Sequence, residues 1–254
     1  MTAEAFCVAR EFEPSGPLPF VTDRHYLLYA LEGLLRLEAD GHRWTLPPAR
    51  AALIRAGQPI LVTVLSKLRS ASVLFAPTFM ESPVTGLSVF DMSPLARELV
   101  RECQPFGSET QTLSPYGAKL FDALAAVVHK LAASPTPCVM PVPTTPGLLR
   151  ALELTEARAA SEVTFEQIAV DVGQSPRSLA RRFSTELGMT WREALRRIRL
   201  TRAVELLALD DTPVTQIALA VGYNSISAFN AAFRDLIGSA PSDYRASFRG
   251  LDGK

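Results

Sequence analysis

One local pattern occurs twice in this chain, and it limits the fold more than any other feature. Ile168-Ala-Val-Asp-Val-Gly173 returns as Ile217-Ala-Leu-Ala-Val-Gly222. Each copy runs through a short polar turn into a segment ending Phe-x-x-x-x-Gly, with Phe183 and Gly188 in the first and Phe233 and Gly238 in the second. Self-similarity at this scale marks a repeated supersecondary unit. The unit reads as helix, tight turn, helix, the arrangement in which a second helix can lie in the major groove of DNA.

The residues of each copy fit that reading. Thr164 is placed to cap a helix over 165–172 that buries Ile168, Ala169 and Val172, and Gly173 supplies the left-handed exit. Ser175 and Pro176 open the next helix. Leu179 and Phe183, four apart, face its core and leave Arg177, Ser178, Arg181 and part of Arg182 outside. An arginine there can donate twice to guanine O6 and N7, worth about 1–3 kcal/mol of discrimination. Thr190-Trp-Arg-Glu193 is a capping box for a long helix to about residue 209. That helix is expected to turn Leu195, Ile198, Leu206 and Leu207 inward and Arg192, Arg196, Arg199 and Arg202 outward or to the edge. A rigid helix between two reading units would set their separation, which must be roughly 34 Å to reach successive major grooves.

In the second copy Thr212-Pro213 is expected to cap by the same logic, with Ile217, Ala218 and Val221 buried. Its second helix exposes Ile226, Ser227, Asn230 and Ala231 while Phe229 and Phe233 pack. Asn230 suits adenine and Ile226 a thymine methyl, but no cation precedes Arg234 on this face. The first copy is therefore expected to carry most base reading, with Arg181 reading bases and Arg196 gripping phosphate. Pro241-Ser-Asp-Tyr-Arg245 opens a last short helix.

The remainder has a different texture. Residues 1–20 are mixed, and Pro14, Pro17 and Pro19 exclude regular helix. From His25 short strands follow one another to Phe75, with Asp40-Gly41 forming a hairpin turn. Residues 20–80 read as a small antiparallel β-barrel. Ser93-Pro94 and Ser114-Pro115 each start a helix. The second carries Leu120, Phe121, Leu124, Val127, Val128 and Leu131 at helical spacing, a stripe that fits either the barrel or its counterpart in a second subunit. Residues 134–147 hold five prolines and read as an extended spacer. The chain thus divides into an N-terminal domain over 1–134, a proline-rich linker over 135–147 and an all-α reading domain over 148–254. The fold class is α+β, two domains.

Formal net charge is zero, which argues against coating nucleic acid without selection. The distribution differs from the sum: Arg177, Arg181, Arg182, Arg192, Arg196, Arg197, Arg199 and Arg202 stand against only Glu186 and Glu193 in the same span. Cys7, Cys103 and Cys138 are scattered, without metal-ligand spacing, as free thiols of a reducing cytosol would be. No basic-apolar leader opens the chain and no run approaches the roughly twenty apolar residues of a membrane span, so a cytoplasmic location is expected.

Residues 148–249 resemble the DNA-binding domain of the AraC/XylS family of bacterial transcription regulators. The resemblance rests on Ile168-Ala-x-x-x-Gly173, Leu179-x-Arg-x-Phe183-x-x-x-x-Gly188, Arg199-Leu-x-x-Ala203-x-x-Leu-Leu207, Ile217-Ala-x-x-x-Gly222-Tyr223, Phe229-x-x-x-Phe233 and Gly238-x-x-Pro241-x-x-Tyr244-Arg245. Ala180 and Ala231 depart from it where family members often carry polar or basic side chains. The resemblance implies double-stranded operator DNA as partner, contact with RNA polymerase, a homodimer, and a cupin-like N-terminal barrel that binds a small-molecule effector. His25, Tyr29 and Trp44 are candidate effector residues, and Tyr26 and Phe75 extend an aromatic set. Only His25, His42 and His129 exist and none pairs as His-x-His, so neither a metal, a cofactor nor a catalytic residue is expected. Two alternatives stay open: the same regulator with a purely structural dimerisation barrel, and a cupin-type enzyme with an accessory DNA module.

Overall fold

The computed structural model describes residues 3–48, 50–107, 112–136, 139–209 and 211–249. It divides into two compact units, one of residues 1–39, 44–136 and 247–254, the other of residues 40–43 and 137–246.

The first unit is built from β1 (Ala5–Phe12), β2 (Ser15–Phe20), β3 (His25–Glu32), β4 (Leu35–Ala39), β5 (His42–Leu46), β6 (Arg50–Ile54), β7 (Ile60–Val64), β8 (Leu68–Phe75) and β9 (Leu87–Asp91), followed by α1 (Pro94–Cys103) and α2 (Pro115–Ala132). One sheet runs β1-β8-β3-β6-β9, and β5-β4-β7-β2 are consecutive in the other. Alternation along the strands sends the first sheet's side chains to two cores. Leu27, Tyr29, Ala51, Leu53, Val73 and Phe75 pack under α1 and α2. Leu28, Ala30, Ala52 and Ile54 pack against Leu35, Leu37, Ile60 and Val64 of the second sheet. This is why β6 is buried at every position and reads as a continuous apolar run rather than an alternating one.

Two expectations are corrected here. The strands form two facing sheets, not a closed barrel. Pro17 and Pro19 share one parity on β2, where Leu18 pairs with Val62 and Phe20 with Ile60. Their missing N–H groups face the free edge and deny it to a further strand. At the far margin of the first sheet, the Val89 carbonyl already accepts from Thr136 N–H at 2.7 Å. Residues 1–20, expected to be mixed, supply β1 and β2, and β9 was not foreseen at all. Proline forbids helix but not an edge strand, and β1 is held by pairing with β8 over its whole length.

The Asp40-Gly41 turn is present, with φ of 49° and 72°. Ser93 accepts from Ala96 N–H at 3.2 Å and Ser114 from Gly117 N–H at 3.1 Å, the two expected caps. The α2 stripe packs within the chain: Phe121, Leu124 and Val128 are fully buried, and Leu120, Val127 and Leu131 partly so. Cys7 and Cys103 are free and buried, and burial pushes both thiols up to about 12. Cys138 lies outside the described residues. No helix among the described residues is long and apolar enough to cross a membrane.

His25 is 2% exposed, and its Nδ1 accepts from Ala56 N–H at 3.1 Å. Burial, then the charge of Arg55, hold its pKa below 6.5. The unfolded chain binds this proton more readily, so the contribution to stability is complete above pH 6.5 and is lost as pH falls below it. Denaturant midpoints measured from pH 7.5 down to 5 are expected to fall, and His25→Gln to flatten that fall. An equally steep fall in the variant would remove His25 as its source.

The second unit comprises β10 (Met140–Pro141), α3 (Pro146–Ala157), α4 (Phe165–Asp171), α5 (Pro176–Leu187), α6 (Trp191–Leu209), α7 (Val214–Ala220), α8 (Ile226–Ile237) and α9 (Pro241–Arg249). Leu148, Ile168, Ala169, Leu179, Phe183 and Leu195 form the core under the first repeat. Phe165 sets its ring against Phe183 and Trp191 at 6.1 and 5.4 Å, and Trp191 Nε1 donates to buried Thr155 at 3.0 Å. In the second repeat Tyr223, Phe229, Phe233 and Tyr244 form a chain of rings spaced 5.4, 5.7 and 5.8 Å. The all-α domain expected from residue 148 begins two residues earlier, because Pro146 takes the first turn of α3, and Leu149 on that helix is exposed.

Residues 139–145, expected as a spacer, are held down on this unit. Arg197 donates to Val139 O at 2.8 Å, and Met140 packs on the core. The Thr145 amide donates to Glu186 at 3.2 Å and its hydroxyl at 2.8 Å, with the Thr144 hydroxyl adding a bond of 3.3 Å. Burial pushes the Glu186 carboxyl up, but these hydrogen bonds outweigh it and hold the group below its ordinary value.

Candidate nucleic-acid interface

Each repeat presents its second helix by the same local chemistry. Thr164 and Gln167 complete a reciprocal capping box on α4, and Ser175 accepts from Ser178 N–H at 3.2 Å to start α5. Ser225 does the same for α8 through Ala228 N–H at 3.3 Å. Such caps are worth about 1 kcal/mol each and fix where the exposed face begins. Thr190 and Glu193 cap α6 reciprocally, at 2.6 and 3.3 Å, which holds the Glu193 carboxyl below its ordinary value. The parallel expectation for Thr212 fails. Pro213 occupies the N-cap of α7 without a side-chain bond, and the Thr212 carbonyl accepts from Arg245 at 2.6 Å.

On α5, Leu179, Phe183 and Leu187 are buried. Arg177, Ala180, Arg181 and Ser184 are exposed, with Ser178 and Arg182 half-buried beside them. On α8, Phe229 and Phe233 are buried, Ile226, Ser227, Ala231 and Arg234 exposed, and Asn230 half-buried. Both faces are laid out as the repeat predicts.

The arginine stripe separates into two groups. Among the described residues, no side-chain hydrogen bond or ion pair engages Arg177, Arg181, Arg182, Arg192 or Arg234. The others are occupied inside the fold. Arg196 donates to Ala232 O at 3.2 Å and pairs with Asp235 at 2.5 Å. Arg197 holds Val139, Arg199 donates to Ala159 O at 2.7 Å, and Arg202 pairs with Glu205 at 2.8 Å. Arg196 and Arg199, expected outward or at the edge, are half-buried, and their guanidiniums are engaged by carbonyls and, for Arg196, also by a carboxylate. A helical wheel counts which side a residue leaves by, not whether a neighbouring helix waits there. Thr155, Glu186 and the partners of Arg196 and Arg199 were missed for that reason, since the bonds join positions 36 to 41 apart in sequence.

The candidate effector residues are not brought together. Tyr29 and Phe75 lie in the core beneath the helices, and Tyr26 and Trp44 against the core between the sheets. Tyr29 and Trp44 therefore do not line one pocket.

Two helix-turn-helix units, each exposing its second helix and the first doing so with arginines unpaired among the described residues, define a DNA-binding protein. A helix-turn-helix domain family model matches residues 168–247. The chain is 26% identical over 246 residues to the HTH-type transcriptional regulator NimR of Escherichia coli K12, covering 96% of this chain and 88% of that protein. It is 30% identical over 152 residues to the HTH-type transcriptional activator RhaS of Klebsiella pneumoniae 342, covering 59% of this chain but only 52% of RhaS. A crystal structure of ToxT from Vibrio cholerae O395 aligns over 98% of this chain and 99% of its own at 14% identity and a TM-score of 0.42. Residues 168–247 are an AraC-type helix-turn-helix domain of DNA-binding transcription regulators.

Proposed function

We propose that the second unit reads operator DNA chiefly through α5, with Arg181 and Arg177 on base edges and Ser178, Arg182 and Arg192 on the backbone. On α8, Asn230 and Ile226 meet bases while Ser227 and Arg234 meet phosphate. The observation that carries this is the partition of the arginines: among the described residues, those on the exposed face of α5 and at the start of α6 have no side-chain partner, and those farther along α6 are engaged within the fold. In this reading Arg196 leaves the DNA-contacting set, and Arg192 takes over the role of sequence-independent grip. Residues 148–254 are the reading domain and 1–134 a regulatory domain that acts without catalysis, in a cytoplasmic homodimer that also contacts RNA polymerase.

A small-molecule effector fits the first unit better than a purely structural role. Leu18 and Phe20 share their side of the sheet with Val62 and Ile60, so they face the space between the sheets, yet both are exposed. Phe20 also lies 5.3 Å from the Tyr26 ring. This open apolar margin at β2 suits an apolar ligand held by a cupin-like pair of sheets.

Salt dependence tests the DNA face. Each phosphate neutralised is expected to steepen the slope of log K against log salt by about 0.9. Arg192→Ala should reduce the slope by about one contact while leaving sequence preference intact. A flat response in the wild-type protein would sink the assignment.

A further inference from the structure

We propose that Arg199 and Gly222 form a joint that sets the position of α8 relative to α5, making Arg199 a positioning residue for two-site DNA reading and not a DNA contact. Arg199 sits near the middle of α6, the helix joining the repeats. Its Nε donates to Ala159 O at 2.7 Å and an Nη to Ser161 O at 3.3 Å, both in the loop between α3 and α4 of the first repeat. The same guanidinium lies 5.8 Å from the ring centroid of Tyr223, in the turn of the second repeat. One side chain thus touches both reading units. Its planar donor fork suits two fixed carbonyls and one aromatic face at once, which a lysine ammonium does not reproduce.

Gly222 closes the joint from the other side. A Cβ on it would lie 2.6 Å from Ala159 O and 3.0 Å from Arg199 Cζ and Nε, so a methyl there must displace the loop or the guanidinium. Gly173 occupies the equivalent turn of the first repeat at a comparable left-handed φ, 65° against 89°. A Cβ at Gly173 would meet nothing within 4 Å. The repeat therefore contains its own control, because both glycines are required by backbone conformation but only Gly222 by contact with the other unit. Arg196 reinforces the joint by tying α6 to Ala232 and Asp235 of α8. Each repeat keeps its own aromatic core, so losing the joint should free their relative placement before it unfolds either one.

The first readout needs no DNA. Spin labels are attached through a genetically encoded keto amino acid at positions 180 and 231, one on each reading helix, and their separation is measured by pulsed EPR in the full-length protein. The wild-type chain and Gly173→Ala are expected to give one narrow distribution. Arg199→Ala and Gly222→Ala should give broadened or shifted ones, and Arg199→Lys an intermediate one. If Arg199→Ala fails to fold, Gly222→Ala and Arg199→Lys decide the matter. Narrow, unshifted distributions in Gly222→Ala and Arg199→Lys would overturn the proposal. In a second readout the unlabelled proteins select from a random-sequence duplex library. The wild type should enrich two elements at one fixed spacing, and Gly222→Ala should keep the first element and lose the fixed spacing; a retained spacing would count against the joint. This second readout rests on both units reading DNA. A single element enriched by the wild type would overturn that reading, while the label distances still judge the joint.

Discussion

Truncating Phe183 to alanine is expected to destabilise the second unit by about 3–5 kcal/mol, the range for emptying a fully buried aromatic site. The side chain has no exposed surface and its ring packs edge-on against Phe165 at 6.1 Å. Phe165 in turn leans on Trp191, the first residue of α6, so the cavity opens where the first repeat meets the joining helix. Phe183→Leu should cost distinctly less, because it leaves less empty volume. Equilibrium denaturation followed by tryptophan fluorescence provides the check, since Trp191 belongs to the affected core. A loss under about 1 kcal/mol would mean that the neighbouring helices collapse into the space, and the core would be softer than its packing implies.

Arg181→Ala is expected to weaken binding to the preferred operator by about 1–3 kcal/mol, roughly 5- to 150-fold, while affinity for arbitrary duplex changes little. Arg181 is exposed on α5 and its side chain is unoccupied among the described residues, whereas its backbone carbonyl accepts from Thr185 at 3.0 Å within the helix. Arg192→Ala makes the comparison, because it should weaken every duplex about equally. The operator is first obtained by selecting genomic fragments with the wild-type protein, and each variant is then titrated against the winner and a scrambled duplex. Equal losses on both duplexes for Arg181→Ala would move it from base reading to phosphate contact.

The parts of this molecule that could be read in the sequence are those governed by local rules. The repeat, the Ser and Thr caps at 93, 114, 164, 175 and 190, the Asp40-Gly41 turn and the buried positions of α5 and α8 all depend on residues within a few places of one another. What escaped is non-local. β1 looks irregular until β8 is laid beside it, and the β2 prolines become intelligible only on an edge. The α6 arginines have the same character. Arg192 and Arg199 look equivalent on a basic helix, yet only Arg199 stands opposite two carbonyls some forty positions upstream. Aromatic content pointed to a pocket in the first unit, but strand alternation places Tyr29 and Trp44 in separate cores.

The anchoring of residues 139–145 bears on how the reading half is best excised for separate study. A fragment starting at Leu148, the boundary read from sequence, would leave Glu186 without Thr144 and Thr145 and Arg197 without Val139. It would also strip Met140 from the core and expose part of it to water. A cut placed ahead of Val139 keeps all of these attachments, and it is the shorter, apparently tidier piece that should express poorly and aggregate.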